Sequence, residues 1–391
     1  IGMLLAALPL VWVGWRKRHA QGLGRLQALT LLTLFLTFDL VLFGSFTRLS
    51  DSGLGCPDWP GCYGFVSPIG AGAEIGAAHQ LMPHGPVSWS KAWIEMIHRY
   101  AAMTVGFLIL IMCIETWRQA RQQRAAMGLS KPMRHALGCS SLTLIWVMLQ
   151  GLFGALTVTT KLFPAIVSLH LMGGEMLLVL LVIQWQAYTR LVHSTPGAKE
   201  KPPANEKPLD MDAAPVLVAA NSAGFTHAGS WLVVAGLILG IQIALGAWVS
   251  TNYAVLACQT FPLCQDAWWP EMNFSQGFEL WRPLGLTSAH EPLVFQALTA
   301  IHYTHRLMAY VVFLGLGFLA LKMHRAGQRR LSLFLALALL VQLLTGLSNV
   351  VLGWPMIGAI LHVAGASALV ILLTWSAFVF LSPHSAGARH G

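Results

Sequence analysis

The sequence predicts an all-α integral membrane protein: eight core transmembrane helices in two repeated four-helix bundles, with one extra apolar N-terminal helix. Three observations carry that prediction. The chain is 56% hydrophobic and only 10% charged, with mean hydropathy +0.64, outside the range of soluble domains. Apolar runs of about 20 residues, the length that crosses a bilayer, recur along it. The two halves of the chain also repeat each other's spacing.

The predicted core spans are 26–47, 94–114, 136–158, 165–187, 229–250, 298–321, 331–353 and 358–381. Residues 1–15 form a ninth, shorter apolar stretch. A cleaved signal carries its basic flank before the apolar run, whereas Arg16, Lys17 and Arg18 follow it, so a short extra helix is expected. Segments 16–25, 115–135, 188–228 and 322–330, with the C-terminal tail, hold 18 of the 24 Lys and Arg residues. By the positive-inside rule these face the cytoplasm, and both core termini lie there. The formal charge of +9 is then topology and lipid attraction. Without a recognisable basic fold beside it, the charge does not point to nucleic acid.

The polar stretch 194–215, rich in Pro, Lys and Glu, cannot bury a core and reads as a cytoplasmic linker. On either side of it the pattern repeats. Gly44 to Cys56 is twelve residues, as is Gly246 to Cys258, and each cysteine has a partner six residues on. Glu95-Met-Ile-His98-Arg99 answers His302-Tyr-Thr-His305-Arg306, and Gln150, Gly154 and His170 share the mutual spacing of Gln342, Gly346 and His362. The expected divisions are 1–25, an apolar segment and basic loop; 26–193, the first four-helix half; 194–228, the linker; 229–381, the second half; and 382–391, a tail. A pseudo-twofold axis along the membrane normal would relate the halves.

His98, His170, His305 and His362 each sit a few residues into a span, within about 5–10 Å of the outer interface at 1.5 Å rise per residue. A charged side chain inside the membrane costs ~2.5 kcal/mol or more. One such histidine is usually a hydrogen-bonding group between helices. Four in a duplicated pattern read instead as axial ligands, two per half, because inward-pointing imidazoles on facing helices are what haem iron requires. Met172 and Met308 lie nearby and read as packing.

Glu95 breaks the symmetry. It shares a helix face with His98, three residues away, while the matching position is His302. One pocket therefore has an acid that its twin lacks, suited to proton transfer. Arg99 and Arg306, beside their histidines, and Arg48, at the end of the first core span, are candidates to meet the carboxylates of a haem at the outer surface, with interfacial snorkelling the alternative. Asp39 and Glu175 also lie within spans, with no role indicated. Trp59, Trp93, Trp248, Trp268 and Trp269 read as interfacial anchors. Cys113 and Cys139 read as inert. The outer-loop pairs Cys56/Cys62 and Cys258/Cys264, on the oxidising side, read as disulfides, as electron-relaying thiols or, less readily, as zinc ligands.

The run Phe46-Thr-Arg-Leu-Ser-Asp-Ser-Gly-Leu-Gly-Cys56-Pro-Asp-Trp-Pro-Gly-Cys62, the Glu-x-x-His motif at Glu95–His98 and the duplicated plan resemble the haem A synthase family over residues 26–381. Its members oxidise the C8 methyl of haem O to a formyl group, through two hydroxylations and loss of water, to make haem A for terminal oxidases. The resemblance implies that His98 and His170 hold substrate haem O, with Arg99 and Arg48 beside it. It implies that His305 and His362, with Arg306, hold a permanent haem b, and that Glu95 is the catalytic carboxylate. The cysteines place the chain with bacterial members, hence in an inner membrane with both haem sites near the periplasmic side. The long outer loops 63–92 and 265–297 exceed the minimal plan. Expected partners are an electron donor or acceptor, haem O synthase, membrane lipid and a second copy of the chain. The competing reading is a non-catalytic di-haem b electron carrier, and a more distant one a haem transporter.

Overall fold

The computed structural model describes residues 2–16, 22–194 and 228–381. The linker and tail expected at 194–228 and 382–391 fall almost wholly outside the described residues. Helix α1 is Gly2–Arg16, α2 Gly22–Leu49, α3 Gly72–Leu81, α4 Trp89–Met127, α5 Lys131–Thr159 and α6 Pro164–Ser194. They are followed by α7 Ala228–Thr251, the four-residue α8 Phe274–Gly277, α9 Phe295–Arg325, α10 Arg329–Val351 and α11 Met356–Leu381. Eight of these, α2, α4–α7 and α9–α11, are long and apolar enough to cross a membrane. The chain is a multi-pass, all-α membrane protein. Lipid offers no hydrogen-bond partner for the backbone, so each crossing segment must close its own bonds as a helix.

Helix α1 has 15 residues, about 22 Å at 1.5 Å each against a hydrocarbon core of about 30 Å. It packs on α4, where Thr104 Oγ1 donates to the Gly2 carbonyl at 3.1 Å. The expected loop 115–135 is largely helical, because α4 runs on to Met127. Residues 115–127 (ETWRQARQQRAAM) are good helix formers. Their polarity ends the membrane crossing without ending the helix, and Gly128 (φ +84°) stops it.

The helices pack as two rings. In the first, α2 touches α4, α4 touches α5, α5 touches α6 and α6 returns to α2; in the second, α7, α9, α10 and α11 do the same in the same order. Three helix pairs carry the main packing between the rings: α6 with α7, its counterpart α11 with α2, and α6 with α11. That set maps onto itself when the rings are exchanged, which is the pseudo-twofold arrangement. Apolar clusters fill the inner part of each ring, around Leu108, Ile109, Met112 and Leu178 in one and Leu316, Leu319 and Met323 in the other.

Equivalent positions meet where the rings join. Glu175 and Ser367 each stand five residues after their histidine, and Ser367 Oγ donates to Glu175 Oε1 at 2.6 Å with both side chains buried. Just beyond the C-terminal ends of α2 and α7, Tyr253 Oη donates to Asp51 Oδ1 at 2.7 Å, and these two positions also correspond in the repeat. Burial pushes the Tyr253 hydroxyl above its ordinary pKa, so it stays protonated and donates at neutral pH.

Replacing Ser367 with Ala removes the one hydrogen bond to a buried carboxyl whose Oε2 already lacks a partner. The expected loss is about 1–3 kcal/mol of stability. In a double-mutant cycle with Glu175→Gln the two effects are expected to be non-additive; simple additivity in thermal unfolding in detergent would mean the contact does not join the rings.

Candidate functional site

Each of the four histidines lies against a glycine of the preceding spanning helix. A Cβ built on Gly44 of α2 would stand 3.0 Å from His98 Cε1 on α4, and one on Gly246 of α7 would stand 3.0 Å from His305 Cε1 on α9. The same holds for Gly154 of α5 with His170 on α6 (3.4 Å) and Gly346 of α10 with His362 on α11 (3.2 Å). A Cβ would crowd the ring at Gly44, Gly246 and Gly346 and stand at the edge of ordinary contact at Gly154. Gln150 and Gln342 lie in notches made by Gly173 and Gly365, three residues after a histidine, where any Cβ would collide with the amide. Gln342 Nε2 donates to the His362 carbonyl at 2.7 Å.

Counting from the helix starts, His98 and His305 are the tenth and eleventh residues of α4 and α9, and His170 and His362 the seventh of α6 and α11. Helical rise places all of them roughly 9–15 Å along their helices from the N-terminal ends. Within each ring the two imidazoles are near enough to interact electrostatically, His98 with His170 and His305 with His362. Phe43 of α2 stacks on His98, 6.2 Å between centroids and 23° between planes.

The donor set fits haem. His98, His170 and His305 have a buried Nδ1 without a hydrogen-bond partner, and such orphaned polar atoms are costly in an apolar interior. His362 differs: its Nδ1 lies 3.0 Å from Thr345 Oγ1, a contact that orients the ring. Among the described residues no three His, Cys, Asp or Glu side chains form a metal cluster. Paired imidazoles suit an iron whose other ligands come from a macrocycle.

The outer loops above the histidines are built alike. Cys56 and Cys62 form a disulfide with Cα atoms 4.9 Å apart, as do Cys258 and Cys264 at 4.7 Å. Cys113 and Cys139 are free thiols. Arg99 holds the first disulfide loop through the carbonyls of Cys56 (3.4 Å), Asp58 (2.8 Å) and Gly61 (2.5 Å). Arg306 holds the second through the equivalent carbonyls of Cys258 (2.7 Å), Thr260 (2.8 Å) and Leu263 (3.2 Å).

Both guanidinium groups bond loop carbonyls directly above the histidines. Arg48 is committed as well: Nη2 donates to the Ser250 carbonyl at 2.7 Å, the guanidinium lies 3.8 Å over the Tyr253 ring, and Nη1 is 3.5 Å from Asp51. It ties the rings together at the outer rim. Trp248 is not an interfacial anchor; it is 5% exposed, and its Nε1 donates to the Gly277 carbonyl at 2.9 Å. The sequence offered no sign of the fully buried Arg282, which bonds Asn252 Oδ1 (2.6 Å) and the Leu286 carbonyl (3.3 Å).

Glu95 is buried. Oε2 accepts the Cys56 N–H at 2.8 Å, and Oε1 pairs closely with Arg99. At the equivalent place His302 Nδ1 meets the Ala254 carbonyl at 3.0 Å, and Arg306 Nε donates to His302 Nε2 at 3.3 Å. Both positions brace the loop above, and only the first does so with a carboxylate.

Known proteins share this plan. A profile described as COX15-CtaA, cytochrome oxidase assembly protein, matches residues 27–374. A heme A synthase of Shewanella oneidensis is 32% identical over 346 residues, covering 88% of this chain and 92% of that protein. Heme A synthases of Rhizorhabdus wittichii and Erythrobacter litoralis are each 27% identical, covering 88% of this chain and 91% and 93% of theirs. The profile spans every core helix, including both histidine pairs and both disulfide loops, and the chain belongs to the COX15-CtaA family of cytochrome oxidase assembly proteins.

Proposed function

We propose that this protein is a haem A synthase, an oxidoreductase that converts the C8 methyl of haem O to a formyl group. The observation that carries the reading is the lone acid of the duplicated site: Glu95 stands within one turn of His98, where the repeat has His302. In this reading His98 and His170 hold haem O in the N-terminal half, and His305 and His362 hold a permanent haem b in the C-terminal half. The bound haem b supplies a one-electron redox centre.

The chain's own groups do three things. The paired imidazoles of His98 and His170 would hold the substrate iron, with Gly44 and Gly154 giving their rings room. The clamped Cys56–Cys62 loop caps the outer end and limits water. Arg99 and the Cys56 N–H hold the Glu95 carboxylate in one orientation, so its oxygens can accept a proton from the methyl-derived hydroxyl as the substrate is oxidised. Arg99 acts through Glu95 and the loop, as a positioning residue. The disulfides are structural in this reading, since both anchor a loop whose carbonyls an arginine needs.

A di-haem electron carrier has less support. Such a carrier stacks its haems one toward each membrane face, whereas both histidine pairs here lie toward the same ends of their helices. The reading also places the sites on the periplasmic side of a bacterial inner membrane, with the linker and tail cytoplasmic. The electron partner, haem O synthase and a second copy of the chain are its proposed associates.

Extracting and chromatographing the bound haems tests the division of labour. His98→Ala and His170→Ala are expected to lose haem O and haem A while keeping haem b; His305→Ala and His362→Ala are expected to lose haem b. Loss of the same pigment from all four variants would refute it. Glu95→Gln is expected to keep both haems and lower haem A formation by at least about 100-fold, the lower end of what a positioned proton-transfer group contributes. Normal product from that variant would remove Glu95 from the chemistry. Gly246→Val is expected to displace the His305 ring and change the haem b absorption spectrum, with little change at the other site, and Gly44→Val the reverse; unchanged spectra would mean the glycine seats do not set the rings.

A further inference from the structure

The two rings differ in their acids. The spanning helices of the second ring contain no Asp or Glu, whereas the first ring has Asp39, Glu95 and Glu175 within its spans and Glu115 toward the inner end of α4. Glu95 is tied to its loop and Glu175 to Ser367. Asp39 differs from both: its side chain is exposed at the protein surface, inside the span Gly22–Leu49, and among the described residues no hydrogen bond or ion pair engages it. A carboxylate facing hydrocarbon with nothing to bind it is costly, and intramembrane acids are seldom idle.

Its position on α2 is informative. Phe35, Asp39 and Phe43 are spaced by four, so they share one face of the helix, and Phe43 stacks on the His98 ring. Asp39 therefore lies on the stripe that reaches the first pocket, about 6 Å further from the outer end than Phe43. The matching stripe on α7 is Leu237, Ile241 and Leu245, wholly apolar, with Ile241 in the place of Asp39 and exposed like it. An acid stands at this level of the first ring and is missing from the same level of the second.

We propose that Asp39 hydrogen-bonds the hydroxyl on the farnesyl-bearing substituent of haem O and so selects haem O over haem b in the N-terminal half. This rests on the reading of that half as the haem O site. The farnesyl-bearing edge of haem O is opposite its propionates. With the propionates toward the outer loops, that edge points deeper into the membrane, toward the level of Asp39. Haem b has a vinyl group there and offers the carboxylate nothing to bind. The open, lipid-facing side of Asp39 suits a substituent whose tail continues into the bilayer.

The test is the relative affinity of the N-terminal half for haem O and for haem b, titrated separately into protein in lipid nanodiscs with the C-terminal haem b in place. Binding is followed by absorbance. Wild type is expected to prefer haem O. Asp39→Ile, which installs the residue of the second ring, is expected to weaken haem O binding by about tenfold or more, as loss of a charged hydrogen bond implies, and to leave haem b binding unchanged. Asp39→Asn, which keeps hydrogen-bonding capacity, is expected to retain part of the preference. An unaltered C-terminal haem spectrum reports that each variant is folded. Undiminished haem O preference in Asp39→Ile overturns the proposal, as does equal loss of both haems or a changed oligomeric state with preference intact. No preference in wild type overturns instead the assignment of the pocket to haem O.

Discussion

An imidazole pressed edge-on against a glycine backbone is the contact on which the arrangement depends, and it occurs four times. It needs two spanning helices close enough for a side chain on one to approach the main chain of the other, an approach that a Cβ at Gly44, Gly246 or Gly346 would crowd. Fixing that contact fixes the helix pair, α2 with α4 and α5 with α6 in one ring, α7 with α9 and α10 with α11 in the other. Closing each ring through α2–α6 and α7–α11 then brings two imidazoles into electrostatic reach. Lipid supplies no competing partner for the unsatisfied ring nitrogens, so the pocket is built to be completed by a ligand.

Above the rings, the same logic governs the loops. A disulfide closes a tight turn whose carbonyls converge, and an arginine one residue past the histidine fills that convergence with its five donors. The clamp is copied almost atom for atom between Arg99 and Arg306. On this common frame the acids mark the difference between the halves. Glu95 replaces a histidine, Asp39 replaces an isoleucine, and Glu175 faces the serine that is its own counterpart across the pseudo-axis. Duplication supplied two equal sites, and carboxylates on one side distinguish them.

Much of this was legible before any coordinates. Hydropathy gave the eight spans because backbone hydrogen bonding in lipid leaves the chain little choice. Repeated intervals gave the two rings, because equal spacing on equal helices puts side chains at equal depths. The histidines stood out because polar groups in apolar runs are rare. Other features were not legible. The loop and helix-end carbonyls that Arg99, Arg306 and Arg48 bond cannot be read from spacing, because an arginine's reach exceeds what helix phase can resolve. Trp248 looked like an interfacial anchor because its sequence position says nothing of the loop that folds over it. Residues 115–127 looked like a loop because polarity marks where the membrane ends, not where the helix does.

The sequence by itself determined the helices, their number, their pairing by repeat and the depth of the histidines, since these follow from local periodicity and the solvation demands of the bilayer. Only the tertiary structure decided which glycine seats which ring, where the arginines spend their donors, and that Glu175 meets Ser367 while Asp39 meets nothing. Those facts depend on the direction of side chains between segments far apart in the chain, and no spacing along one helix encodes the orientation of its neighbour.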